Sequence, residues 1–212
     1  VQQATAPVVK GSVNDTVNLN GAYSVFVSGR YAYVAVNQNQ SLTVVDVSNP
    51  ALPVVVGVIV DTTYLAYPWS VFVSGKYAYV TVNNGMRLTV VDVANPSSPK
   101  VVGSVYDATY LNAARSVFVS GRYAYVAAYS GSCLTVVDVS NPASPVVVGA
   151  VVDGTNISDP HSVFVSGKYA YLANYSSDRL TVVDVANPSS PKVVGSITDG
   201  TNLNGAISVF VS

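Results

Sequence analysis

The string SVFVS starts at Ser24, Ser70, Ser116, Ser162 and Ser208, each start 46 residues after the last. A period held without slippage along the chain admits a row of like units, each packing on its neighbours. The units run over 24–69, 70–115, 116–161 and 162–207, with a partial repeat over 1–23 and the start of another over 208–212. A longer beat overlies this one. The second and fourth units share GK, VANPSSPK and an arginine before LTVVDV (Arg87 and Arg179), whereas the first and third share GR and VSNP. A two-unit block has therefore been duplicated.

Every segment of the unit reads as a strand. SVFV alternates β-branched and aromatic residues, and the Ser-Gly after it makes a tight hairpin turn before YAYV. LTVVDV is a third strand, stopped by Asn-Pro because proline has no N–H for a ladder. The Val-rich run after the second proline, 53–60 in the first unit, is a fourth. No stretch shows the period of an amphipathic helix. Four antiparallel strands per repeat match one propeller blade, so the expected fold is all-β: propeller blades set in a ring or in an open, filamentous array. One such sheet cannot bury both faces alone. Phe26, Phe72, Phe118, Phe164 and Phe210, all at one repeat position, are therefore expected between blades, with the YAY tyrosines.

Composition removes several functional classes. Half the residues are hydrophobic, 10% are charged, the net charge is −1, and all eleven acids are Asp. So much Val, Tyr, Leu and Ile excludes a disordered chain. No basic cluster exists to displace counterions from nucleic acid. The longest apolar runs, such as VVVGVIV at 54–60, are strand-length, so no membrane span is expected in this segment.

The strings YAYVAV, SLTVVDVSNP, ALPVVVG and DTTYLAYPWSVFVSGKYAYV resemble the LVIVD repeat, which is related to the YVTN-type propellers of archaeal and bacterial cell-surface proteins. The resemblance covers all four units and both partial ends. It implies the blade fold and an exported, cell-surface location. The matching residues are structural, so it implies no particular chemistry.

The two ends are expected to supply a fourth strand over 7–15 and a first strand over 207–212, leaving a fifth blade without its middle strands. The chain then reads as a window on a longer, nearly periodic array. The lack of an initiator Met and of a signal peptide agrees with that expectation.

Candidate chemistry is sparse. Nine Asp fall in two registers: Asp46, Asp92, Asp138 and Asp184 in VVDV, and Asp15, Asp61, Asp107, Asp153 and Asp199 after the fourth strand. A carboxylate ring could hold Ca²⁺, but no dense Asp/Asn loop supports one, and turn-capping is the expected role. His161, the only histidine, shares its repeat position with Tyr23, Trp69, Arg115 and Ile207. It lacks the partners of a zinc site or a catalytic triad and reads as a variable loop residue. Cys133 is the only cysteine and reads as a plain thiol, with an interchain bridge as the alternative. Asn14, Asn39, Asn156 and Asn174 head Asn-x-Ser/Thr sequons in or beside expected loops, where a glycan could be carried.

Variation between units is more telling. In an up-and-down blade, the loop between strands two and three shares an end with the loop linking blades. Those segments vary (NQNQ, NNGMR, YSGSC, YSSDR), while the opposite end keeps its SG[RK] and NPxxP turns. Tyr67, Trp69, Arg115, Tyr129, His161 and Tyr175 are the candidate binding face.

The expected function is a non-enzymatic extracellular structural protein, part of a surface layer, sheath or filament. Its partners would be copies of itself or further repeats of the same chain. An adhesion or carbohydrate- or protein-binding propeller using the varied end is the alternative. No cofactor is expected. A lactonase or quinoprotein propeller is set aside because the chain lacks the Glu, His and metal-ligand clusters such sites need.

Overall fold

Each repeat folds as one four-stranded antiparallel sheet, in the computed structural model that describes residues 7–212. The first blade holds β1 (Ala22–Ser28), β2 (Tyr31–Val36), β3 (Ser41–Asp46) and β4 (Val54–Val60). The second holds β5 (Pro68–Ser74), β6 (Tyr77–Val82), β7 (Arg87–Asp92) and β8 (Lys100–Tyr106). The third holds β9 (Ala114–Ser120), β10 (Tyr123–Ala128), β11 (Cys133–Asp138) and β12 (Val146–Val152). The fourth holds β13 (Pro160–Ser166), β14 (Tyr169–Asn174), β15 (Arg179–Asp184) and β16 (Lys192–Thr198). Strands pair in chain order within each blade, as the repeat requires.

The core lies between blades. Tyr33, Ala35, Leu42 and Val44 of the first blade pack on Leu65, Val71, Val73, Ala78 and Val80 of the second, and the next two interfaces repeat this. The phenylalanines form a ladder along the four first strands, with successive ring centroids 4.6–5.0 Å apart from Phe26 to Phe210. First strands touch in the order β1, β5, β9, β13. The described blades thus form an open row in which each contacts its neighbours.

Three small devices fix the stacking. The Asp that follows each fourth strand caps a single helical turn: the Asp61 carboxylate accepts the N–H groups of Thr63 (2.9 Å) and Tyr64 (2.8 Å), and its carbonyl accepts that of Leu65 (2.9 Å). That turn drives Leu65, and its equivalents Leu111 and Ile157, fully out of solvent between two blades. The buried threonine of each LTVVDV then reaches back to the same turn; Thr43 and Thr89 donate to the carbonyls of Asn18 and Tyr64 at 2.5 Å. Finally, a Cβ on Gly57, Gly103 or Gly149 would collide with the carbonyl oxygen of Pro96, Pro142 or Pro188 in the Asn-Pro turn of the next blade. Glycine is what lets that turn seat.

The ends correct one expectation. Residues 7–15 and 207–212 form no strand. Both nonetheless keep the repeat's packing: Phe210 stacks on Phe164 at 5.0 Å, the Val209 N–H donates to Ser162 Oγ at 3.3 Å, and Gly11 abuts the Pro50 and Ala51 carbonyls. A strand needs a paired ladder, and among the described residues these segments have no neighbouring strand of their own blade to supply it.

Candidate functional site

The two ends of the blades differ as the sequence implies. At one end, SG[RK] hairpins and Asn-Pro turns repeat with little change. Asp46 accepts the Ser48 N–H at 2.9 Å and pairs with Arg30 at 2.6 Å, and Asp138 holds Ser140 and Arg122 in the same way. Hydrogen bonds from the Ser48 hydroxyl and N–H, and then Arg30, lower the Asp46 carboxyl to about 2. Arg122 first, and then Ser140, lower Asp138 to about 2. All nine register aspartates accept a backbone N–H two residues on, the turn-capping role. Among the described residues no three His, Cys, Asp or Glu side chains converge as a metal site would need.

At the other end lies a connected row of aromatic and basic groups. The first strand of each blade carries a β-bulge at one repeat position. Pro68 pairs with Val82 and Ser70 with Thr81, leaving Trp69 as the extra residue; Tyr23, Arg115 and His161 are extra in the same way. A bulge re-aims its unpaired side chain, and here it turns four of them along one line. The neighbouring hairpins are tied to the same place: the N–H groups of Tyr129 and Tyr175 donate to the carbonyls of Ala113 and Asp159 at 3.1 Å. Those two carbonyls belong to residues with left-handed backbone (φ 53°), as does Tyr67 (φ 59°).

The row runs Tyr23, Trp69, Arg115, His161, Tyr175, with Tyr129 beside its middle. Tyr23 and Trp69 meet edge to face at 4.7 Å. The Arg115 guanidinium carbon stands 4.9 Å from the Trp69 ring centre and 3.5 Å from that of Tyr129. Arg115 Nη1 contacts both ring nitrogens of His161, at 3.3 Å for Nδ1. His161 in turn lies 5.0 Å from Tyr175, tilted by 31°, and 5.5 Å from Tyr129. Burial lowers the pKa of Arg115, against the opposing influence of Tyr129 and Asp159. Burial and then the Arg115 charge lower that of His161, while Asp159 raises it. Arg115 Nε is buried without a hydrogen-bond partner.

Five of the six candidate binding residues are thus brought together, and Tyr67 flanks them with an exposed ring. Tyr23 joins them, which loop variation alone did not indicate. His161 is corrected from a loop residue to the bulge residue of β13. The signal was present, since 23, 69, 115 and 161 hold the most chemically varied position next to an otherwise constant SVFVS.

The remaining sites separate clearly. Cys133 is fully buried, its Sγ 3.4 Å from the Tyr110 carbonyl, and burial raises its pKa, so the folded thiol offers no interchain bridge. Asn174 lies inside β14 with no exposed surface, its amide held by Leu172, Arg179 and Thr181; the folded chain does not present it to a glycan. The Asn156 side chain is tied to Asp153, Arg179 and Ser196. Asn14 is exposed and Asn39 half-buried with only a 3.5 Å contact to Ser41. A concavity of about 640 Å³ lies elsewhere, against Leu19, Val25, Ala32, Val34, Val45 and Val47 of the first blade. In the second blade the residues equivalent to these valines and alanine receive Tyr33, so the concavity has the lining that takes a neighbouring blade elsewhere in the row.

The family model described as the LVIVD repeat matches the sequence four times, over 21–62, 67–107, 113–153 and 158–199. No curated protein matches it. Among solved structures, the periplasmic gluconolactonase PpgL of Pseudomonas aeruginosa superposes with a TM-score of 0.69 at 16% identity, covering 84% of this chain and 55% of that one. Hydrazine synthase of Kuenenia stuttgartiensis gives 0.64 at 19% identity, with 89% and 53% covered. A 6-phosphogluconolactonase candidate from Bacteroides uniformis gives 0.67 at 17% identity, with 84% and 57% covered. The chain spans a little over half the length of these structures, and at such identities the likeness shows the fold alone.

Proposed function

We propose that this chain, which belongs to the LVIVD repeat family, is a non-enzymatic extracellular repeat scaffold that holds out one varied end of its blades to a ligand. The observation that carries this reading is the row from Tyr23 to Tyr175, built from one bulge per blade on an otherwise uniform framework. Bulges set chemically varied side chains on a rigid support, which is the arrangement a binding surface needs. An extracellular setting is supported by the likeness to cell-surface propellers, by sequons at Asn14 and Asn39, and by the scarcity of ionic groups. The non-enzymatic reading is supported by the engagement of nine of the eleven carboxylates in turns.

Two measurements test it. Retention on a glycan or cell-surface array is expected for the wild-type chain and lost for Trp69→Ala and Tyr129→Ala; retention unchanged in both variants overturns the binding role. Hydrolysis of gluconolactone is the right assay for the competing enzyme reading, given the names of the similar structures. The expected rate equals that of buffer, and protein-dependent turnover would defeat the proposal.

A second reading, a segment of a surface layer, sheath or filament, is favoured by the concavity on the first blade. Its lining matches the one that receives the first blade on the second, and a blade of another copy or of further repeats would fit it in the same way. Ordered polymers in negative-stain images of the native material, with a periodicity set by the blade, would support it. Monodisperse single particles would exclude it.

A further inference from the structure

We infer that Arg115 and His161, held among Trp69, Tyr129 and Tyr175, form a site for the carboxylate of an acidic sugar. The inference rests on the binding-face reading above and names the ligand that face would take.

Arg115 is an under-compensated cation. Its guanidinium carbon lies over two aromatic rings, 3.5 Å from the Tyr129 centre and 4.9 Å from that of Trp69, so hydrogen bonds from its N–H groups are what could complete its surroundings. Of those groups Nη1 meets a histidine ring and Nε meets no hydrogen-bond partner. The three ion pairs among the described residues all lie at the opposite end of the blades; Asp159 is near enough to favour the charged forms of Arg115 and His161 but forms no ion pair with either. A partly buried cation beside a second basic group gains most from an external anion. A carboxylate is the anion that fits: it is planar, as the guanidinium edge is, and its single charge suits a site with one permanent cation and one histidine.

The surroundings supply the rest of a sugar site. The rings of Tyr23 and Tyr175 are half exposed at the two ends of the row, and Trp69 lies between, giving flat apolar faces on either side of the charge. The pairing is also singular. The corresponding residues of the flanking repeats are Tyr23, Trp69 and Ile207, so the third and fourth blades alone place two basic groups in contact. His161 is faced by Arg115 from β9, by Tyr129 and Tyr175 from the two hairpins, and by Asp159 from its own loop. A bound carboxylate offsets the Arg115 charge that opposes protonation of His161, so binding takes up a proton and strengthens as pH falls.

Trp69 is the only tryptophan, and it touches Arg115, so its fluorescence reports on the site directly. The whole chain is titrated with a galacturonate trisaccharide, with the methyl ester of that trisaccharide, and with inorganic sulfate. The acid is expected to bind saturably, about tenfold more tightly at pH 5 than at pH 8, and about tenfold more tightly than the ester. Arg115→Gln should erase the preference for the acid over the ester. His161→Gln, which keeps the size and removes the titration, should abolish the pH dependence while keeping the preference, and it carries the test if the arginine variant does not fold. Equal binding of acid and ester overturns the carboxylate assignment and leaves the binding face standing. Sulfate binding as tight as the acid overturns it in favour of a bare anion site. No response to either saccharide overturns the acidic-sugar site, while the binding face is overturned by the array measurement above, if retention is absent from the wild-type chain or unchanged in both variants.

Discussion

The strands β12 and β16 occupy the same place in successive blades and share the VVG at their centre, VVVGAVV and KVVGSIT, yet they live in different environments. Around β12, a Cβ on Gly149 would strike the Asn-Pro turn of the fourth blade; around β16, a Cβ on Gly195 would meet nothing within 4 Å. Val148 is packed in the interface, whereas Val194 is 55% exposed. In a stacked repeat, then, the energetic weight of a residue is set less by its own blade than by whether another blade lies against it.

The sharpest way to break that comparison is at the capped turns. Leu111 is fully buried between the second and third blades, while Leu203, its equivalent, is only half-buried beside the fourth. Leu111→Ala should cost about 3 kcal/mol and Leu203→Ala about 1 kcal/mol, read as the shift in urea midpoint. Equal losses would mean that the turns are held within blades rather than between them. The glycine pair comes next. Gly103→Ala has to push back the carbonyls of Pro142 and Ala143 and should cost about 2–3 kcal/mol, while Gly195→Ala should be close to neutral. A destabilising Gly195→Ala would show that the glycine serves its own strand, where Val194 is an extra residue between the pairs Val182–Gly195 and Val183–Val193, and not the neighbouring turn.

How far the sequence could anticipate this differs by feature. The blade was legible because four strand signals recur at one spacing, and repetition averages out local ambiguity. The Phe ladder was legible for the same reason. The bulges at 23, 69, 115 and 161 were not, because an extra residue in one strand leaves alternation on either side intact and shows itself only in the partner's register. That is why His161 read as a loop residue. Residues 7–15 and 207–212 carry strand-like sequence, but strand is a property of pairs. Asn174 satisfies a sequon by composition, while its amide is consumed inside the sheet by Leu172, Arg179 and Thr181.

Some features should ignore the stacking altogether, and they mark the limits of the comparison. Asp46 lies in the first blade and Asp138 in the interior third, yet both carboxyls sit at about 2, because the causes are in their own turns. The folded pKa is depressed below the unfolded value, so the contribution is complete above pH ~4 and is lost as pH falls toward 2. Asp46→Asn and Asp138→Asn should therefore lower the melting temperature by similar amounts at neutral pH and by much less at pH 2, where each carboxyl is about half protonated. A larger effect at Asp138 would show that stacking reaches even these turns.

The smallest expected effect concerns backbone strain at the varied end. The position before the bulge strand is left-handed in every repeat, and it is Gly21 and Gly205 at the outer units but Tyr67, Ala113 and Asp159 inside. An L-residue there carries a local cost that glycine does not, offset in part by the freedom glycine gains in the unfolded chain. Ala113 has only a methyl group to lose, and its carbonyl still has to hold Tyr129 beside Arg115. Ala113→Gly should then raise stability by about 0.5 kcal/mol and leave the Trp69 emission unchanged. Loss of stability instead would mean that the methyl packs usefully. A changed emission at higher stability would mean that the strained backbone is what keeps Tyr129 against the guanidinium, and so that interior repeats accept a cost the outer ones avoid in order to shape this end of the row.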